Sequence, residues 1–220
     1  TMRKKLLQYN KNIQIEILSN AVFLKSSNVH EFNNNENDMT IGFLSNISFE
    51  KGIKEYFEVL KKLIKDGYSV NGLIAGSNTN IKSKKYLDSN LEELKEICYL
   101  GKIVAKEKED FLNKIDLLLL PTKYKNEAEP LVIHEAMSHG IVVIAWNRGC
   151  ISNMISQNTG LVIEKDKQYV NSAVNQIIFW IENPKKLIIA KELSLKQFIH
   201  KKSENLAVLN KIISNIANYQ

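Results

Sequence analysis

Much of the usual equipment for covalent or metal chemistry is scarce in these 220 residues. Cysteine occurs twice, at Cys98 and Cys150, with no metal-ligand spacing. A disulfide-stapled scaffold and a thiolate metal site are not indicated, and two thiols suit a reducing compartment such as the cytoplasm. No apolar run approaches the roughly 20 residues that a membrane-spanning helix needs. The amino-terminal TMRKKLLQYNKN is basic, yet it has no long apolar segment and no small-residue cleavage site, so it does not read as a secretory signal. There is no GxGxxG, no GxxxxGK[ST], no serine or cysteine in a GxSxG elbow and no paired-aspartate metal motif. These absences argue against a nicotinamide dehydrogenase, a P-loop nucleotidase and an elbow-type hydrolase. No period of 20–50 residues repeats, which excludes the common solenoids. Arginine is limited to Arg3 and Arg148.

What is present is ordinary for a globular chain: 44% hydrophobic and 25% charged residues. The length fits one large domain or two small ones, and it is enough to bury a core. Thirty basic residues against 24 acidic ones leave a formal charge of +6. Lysines such as Lys61, Lys62 and Lys65 alternate with acids on helix faces, so a nucleic-acid partner is not expected. The stretch from Lys185 to Lys211 is more one-sided. An anionic membrane surface would suit it, although a solvated helical face is the preferred reading.

Alternating apolar positions predict a strand over Ile13–Leu18. The Asn-rich residues 26–39 read as a linker or loop. From Thr40 onward short apolar runs alternate with amphipathic helices. Strands are expected at Thr40–Ser45, Val70–Ala75, Cys98–Leu100, Asp116–Leu120, Ile141–Ala145 and Leu161–Ile163. Helices are expected at Gly52–Asp66, Lys82–Glu96 (with a break near Asn90), Glu107–Lys114, Leu131–His139, Ile151–Ser156 and from about Gln168 to the end. Strand and helix in repeated alternation mean an α/β fold, a doubly wound, Rossmann-like parallel sheet with helices on both faces. Such sheets bind ligands at the carboxyl ends of their strands.

The loop after Leu120 and the helix that follows it are the most informative segment. Glu127 lies in the loop and Glu135 lies inside the helix, more than a turn beyond Pro130. Between them the free amides of the first turn make an anion site. The acids are suited to accepting hydrogen bonds from hydroxyls. Together these features favour a ligand with an anionic centre and hydroxyl-rich flanks, the layout of a nucleoside diphosphate sugar. Taken alone, the acids could equally be a helix-dipole complement and a solvated helical residue. Lys51, before the first helix, can neutralise a phosphate, although a lone exposed lysine is commoner. Gly76 and Gly101 each follow a strand, where a ligand could approach or where a tight turn needs glycine. His134 and His139 are five apart and do not share a helix face, which disfavours metal ligation; His139 suits the helix end.

In combination, IGFLSNISFEKGIKEYFEVLKKL, LIAGSN, YLGKIV and DLLLLPTKYKNEAEPLVIHEAMSHGIVVIAWNRGC resemble the C-terminal domain of the family 4 (group 1) glycosyltransferases of GT-B architecture, in order from about Ile41 to Ile163. The resemblance implies one half of a GT-B enzyme and a retaining, metal-independent transfer needing no cofactor. Glu127 would contact the donor sugar and Lys51 would hold the diphosphate, the two catalytic candidates. Ala128, Glu129, Pro130, Leu131 and Val132 would present the backbone to sugar and diphosphate, and Glu135 would take the ribose hydroxyls. Gly101, Lys102, Ile103 and Val104 would lie against the base, and Gly76 would lie near the donor.

Two positions depart from the family pattern. Asn46 stands where an arginine is usual, five residues before the lysine, and Arg148 is the candidate to compensate. Glu129 replaces a small or aromatic residue and adds negative charge near the sugar.

The division implied is residues 1–39 as an inter-domain linker region with one strand, 40–183 as the nucleotide-sugar-binding domain, and 184–220 as C-terminal helices packing toward an absent N-terminal domain. The chain is then a donor-binding half, inactive or nearly so alone. Its donor would be a UDP-, GDP- or ADP-sugar, and it would meet a glycan or lipid-linked acceptor through the other domain, in the cytoplasm or at the inner membrane face. A sugar-nucleotide epimerase of the same architecture and a non-catalytic nucleotide-binding or interaction module are the alternatives.

Overall fold

The buried Leu117–Leu120 run shows how the molecule is layered. Leu117 and Leu119 join one apolar cluster, and Leu118 and Leu120 join another, because successive side chains on a strand point to opposite faces. The same division holds for Val142 and Ile144 against Val143 and Ala145. A strand apolar on every residue therefore belongs to a sheet covered on both sides.

The computed structural model describes residues 2–10, 15–25 and 38–217. In chain order the elements are α1 (Met2–Tyr9), a 3-10 turn (Asn20–Phe23), β1 (Met39–Leu44), α2 (Ile53–Lys65), β2 (Val70–Ala75), α3 (Ile81–Glu93), β3 (Ile97–Tyr99), α4 (Lys106–Leu112), β4 (Leu117–Leu120), α5 (Leu131–Ser138), β5 (Val142–Trp146), a second 3-10 turn (Ile151–Asn153), β6 (Gly160–Ile163), α6 (Tyr169–Glu182) and α7 (Pro184–Ala217). All the strand pairs are parallel, and the sheet order is β3-β2-β1-β4-β5-β6. Buried residues of α2, α3 and α6 cover one face, and those of α4, α5 and Phe198 of α7 cover the other. Among the described residues no helix is long and apolar enough to cross a membrane.

Helix α2 shows the local logic. Ile53, Tyr56, Phe57, Leu60 and Leu63 recur at three and four and are fully buried. Burying each such side chain is worth roughly 1.5–3 kcal/mol relative to exposure. The helix stops at Gly67 (φ 87°), where Tyr68 N donates to Leu63 O and Gly67 N donates to Ile64 O, a Schellman closure.

The structure departs from the sequence expectations in several places. The strand expected over Ile13–Leu18 is not one: residues 15–19 are irregular, and 11–14 lie outside the described residues. The segment lies against α5 and α7 rather than at a sheet edge, and Ser19 N donates to Asn205 Oδ1 (2.6 Å) instead of to a ladder. Helix α1 was not anticipated. Of the Asn-rich linker, residues 26–37 lie outside the described residues, and Met39 already opens β1. Helix α3 runs through Asn90 without a break, and the Asn90 side-chain Nδ2 donates to Tyr86 O four residues back instead of ending the helix. The helix expected at Ile151–Ser156 shortens to one 3-10 turn.

The carboxyl-terminal residues form one 34-residue helix, α7, rather than several. Ala190 and Phe198 of α7 enter the two clusters. Lys191, one of the basic residues of this stretch, is largely buried and pairs with Asp116 at 2.5 Å, tying α7 to the start of β4.

Candidate functional site

In a sheet of this order the chain runs outward from β1 in one direction and from β4 in the other. The loops after these adjacent strands diverge and leave a crevice at their carboxyl ends. Lys51 arrives there from the loop after β1, and Glu127 from the loop after β4. Lys51 Nζ stands 2.6 Å from Glu127 Oε2, with side-chain exposures of 22% and 13%. Two residues 76 apart in sequence thus meet at the point where the topology opens the sheet.

Several contacts fix this pair. The Thr122 hydroxyl, fully buried, donates to Glu127 Oε2 (3.1 Å), and Lys51 Nζ lies 4.6 Å from the centre of the Tyr124 ring. Ser48 Oγ accepts from Lys51 N, and Lys123 N donates to Glu50 O (2.7 Å), joining the two loops. At Gly52 (φ 89°) a side chain would run into the carbonyl of Pro121, and at Gly149 (φ 52°) one would run into the carbonyls of Glu127 and Ala128. Both positions need glycine for their conformation and for their closeness. Cys150 N donates to Ala128 O (2.7 Å), so the loop after β5 also braces the acid.

Helix α5 follows directly. Pro130 is its N-cap residue, and no side chain caps it. The amides of Ala128, Glu129, Leu131 and Val132 have no acceptor among the described residues. Pro130, included in the sequence expectation as part of this amide run, has no N–H and can contribute only shape. Glu135, in the second turn, is 13% exposed and pairs with Lys108 of α4 at 2.7 Å.

The loop after β3 holds Gly101 (φ 74°), exposed Lys102 and Val104, and half-buried Ile103, which packs against the second cluster. Val104 N donates to Glu107 Oε2 (3.1 Å). Ala105 is the only non-glycine with positive φ (44°) among the described residues, a strained conformation costing of order 1–3 kcal/mol. Gly76 N donates to Gly101 O (2.8 Å), and the close approach at Gly76 is to Ser45 O, a contact between neighbouring loops of this chain. Asn46 is exposed, and its side chain has no partner among the described residues. Arg148 lies one residue before the Gly149 contact, and its Nε is buried without a hydrogen-bond partner among the described residues.

Glu129 is occupied elsewhere. Its Oε1 accepts from Ser19 Oγ (2.6 Å) and contacts His134 Nε2 (3.0 Å), and its Oε2 accepts from Asn20 N (3.1 Å). Burial pushes the Glu129 carboxyl up, but the bonds from Ser19, His134 and the Asn20 amide outweigh it and hold the carboxyl below the usual range. Its charge is spent on the 15–25 segment, not offered to a sugar. His139 sits at the helix end, with Nδ1 3.0 Å from Glu135 O.

Sequence reasoning missed Thr122, Tyr124, Lys108, Gly149 and Ser19. Thr122 alone had a local signal, a hydroxyl just past a strand end. The others act through contacts between distant elements.

The doubly wound parallel sheet, with an acid–lysine pair at its switch point, is a Rossmann-like α/β domain. Residues 25–196 match the model of the glycosyl transferases group 1, and the chain belongs to that family. The fold is shared with solved glycosyltransferases of GT-B architecture. S. aureus TarM is 20% identical, with a TM-score of 0.74 over 97% of this chain and 42% of that one. Anabaena HepE, solved in complex with UDP and glucose, is 18% identical, with a TM-score of 0.69 over 83% of this chain and 49% of that one. The C-terminal domain of LpcC from Francisella tularensis, described as a group 1 family protein, is 19% identical, with a TM-score of 0.65 over 75% and 86%. The chain therefore spans less than half of TarM and of HepE. No curated protein matches the sequence.

Proposed function

We propose that this chain is the donor-binding half of a glycosyltransferase that moves a sugar, with retention and without a metal, from a nucleotide sugar to a glycan or lipid-linked acceptor. One observation carries the reading: Lys51 and Glu127 meet at 2.6 Å across the switch point of the sheet. As the bond between the sugar and the diphosphate breaks, the electron pair leaves with the diphosphate. The Lys51 ammonium and the free amides ahead of α5 oppose that charge. Glu127, held by Thr122, turns its carboxylate to the sugar hydroxyls. Glu135 receives the ribose, and residues 101–104 flank the base. Asn46 leaves the diphosphate one cation short of the family pattern, and Arg148 of the loop after β5, whose Nε has no hydrogen-bond partner among the described residues, is the candidate to supply it. Catalysis is read as cytoplasmic, at or near the inner face of a membrane.

Calorimetric titration with UDP, GDP and ADP tests the reading. One of them is expected to bind, and Lys51→Met to weaken it at least about tenfold, the worth of a charge-assisted contact. No heat with any of the three at millimolar concentration would overturn it. Because the chain spans under half of TarM and HepE, transfer by these 220 residues alone is expected to be negligible. A measurable rate would refute that part only.

A further inference from the structure

Both site acids already hold a lysine. Glu127 has Lys51 from the loop after β1, and Glu135 has Lys108 from α4. Lys108 is 27 residues from Glu135, and no motif relates the two. We propose that Lys108 is a positioning residue for the nucleoside: it orients the Glu135 carboxylate so that this acid selects ribose over deoxyribose. The inference rests on the reading of Glu135 as the ribose acceptor.

The geometry supports this role at three points. Lys108 Nζ takes Glu135 Oε1 at 2.7 Å, and Oε2 has no partner among the described residues. The carboxylate plane is therefore fixed at one end and open at the other. Glu135 is 13% exposed and Lys108 34%, so the pair sits partly out of water, where a fixed charge holds its direction better. Helix α4 also anchors the loop expected beside the base, because Glu107, next to Lys108, accepts from Val104 N at 3.1 Å. One short helix thus sets both the base-side loop and the ribose acid.

The charge balance points the same way. An unpaired carboxylate near a diphosphate would repel it, whereas a carboxylate with its own ammonium presents hydroxyl acceptors at little net charge. A lysine also donates three bonds and accepts none, so it cannot itself replace the acid as a hydroxyl acceptor.

The readout is the ratio of dissociation constants for a nucleoside diphosphate and its 2′-deoxy counterpart, measured on the full chain with UDP, GDP and ADP. A hydrogen bond to a charged group is worth roughly a factor of ten or more, and the wild type should prefer the ribonucleotide by about that factor. Glu135→Ala should bring the ratio close to one. Lys108→Met should bring it most of the way there, Lys108→Arg should largely restore it, and the double variant should fall no further than Glu135→Ala. Equal thermal midpoints for wild type and Lys108→Met would show that the fold is intact; were that variant unstable, Lys108→Gln carries the same expectation. If the wild type binds none of the three, or if Glu135→Ala leaves the ratio unchanged, the ribose reading fails and the inference goes with it. If Glu135→Ala removes the preference but Lys108→Met keeps it, the ribose reading stands and the role of Lys108 is overturned. A Lys108→Met that weakens both members of a pair equally would also overturn it, since that pattern marks a general phosphate contact.

Discussion

Glu127 and Glu129 share one loop, two residues apart, and the fold gives them opposite tasks. Glu127 reaches a lysine brought by the loop after β1, at the carboxyl-end crevice. Glu129 reaches Ser19, Asn20 and His134, and fastens the amino-terminal segment to α5. An extended stretch would put residues two apart on the same side, but the chain bends at Glu129 ahead of α5 and parts the two acids, so what lies opposite each one differs. Opposite Glu127 stands the switch point of the sheet. Opposite Glu129 stands a segment packed on α5 and α7.

The sharpest way to break this contrast is to disturb the loop that carries both acids. Gly149 lies against the carbonyls of Glu127 and Ala128 with φ 52°. Gly149→Val puts a β-branched side chain where neither the conformation nor the space admits one. It is expected to cost at least about 2 kcal/mol in denaturant unfolding and to abolish nucleotide binding. A variant with wild-type stability and affinity would mean that the loop is not braced as described.

Next in size is the front pair alone. Lys51→Met leaves Glu127 with only the Thr122 hydroxyl. Because Lys51 is 22% exposed, the stability loss should be modest, about 1 kcal/mol. The loss of nucleotide affinity should be larger, at least about tenfold. Loss of stability without loss of affinity would make the pair structural and remove the distinction between the two acids.

The ease of reading the fold and the difficulty of reading the site have the same origin. Strands such as Val70–Ala75 and Leu117–Leu120, and the helix from Ile53, announce themselves because their apolar period is local. Lys51, Glu127 and Glu135 could be singled out beside such elements, but the roles proposed for them came from the family resemblance of the whole segment. Their partners could not be singled out. Lys108 finds Glu135 only once α4 and α5 are side by side, and Ser19 finds Glu129 across 110 residues. The failed strand near Ile15 has the same cause: alternation promised a ladder, but helices rather than a sheet edge lie beside it.

A smaller effect is expected at the back of the loop. Ser19 Oγ donates to Glu129 and also accepts from Ala21 N, capping the 3-10 turn. Ser19→Ala should lower stability by about 1 kcal/mol, as cap and hydrogen-bond deletions do. Nucleotide affinity should stay within about twofold, since the contact faces away from Lys51. A tenfold loss of affinity here would show that the 15–25 segment communicates with the crevice.

The smallest effect is a matter of pH. Glu129 is held below the usual carboxylate range, so the folded chain binds that proton less readily than the unfolded chain. The sign follows from linkage: its contribution is complete above the unfolded value, about 4.5, and drains away as pH falls through the lower folded value. At neutral pH Glu129→Gln should be less stable than the wild type, because a neutral amide is a weaker acceptor for Ser19 and Asn20. Between about pH 5 and pH 3 the two unfolding midpoints should converge, since the wild type alone loses the contribution of this ionised carboxylate. If the gap between them keeps its size over that range, the carboxylate is not ionised by its partners. The contrast with Glu127 would then rest on geometry alone.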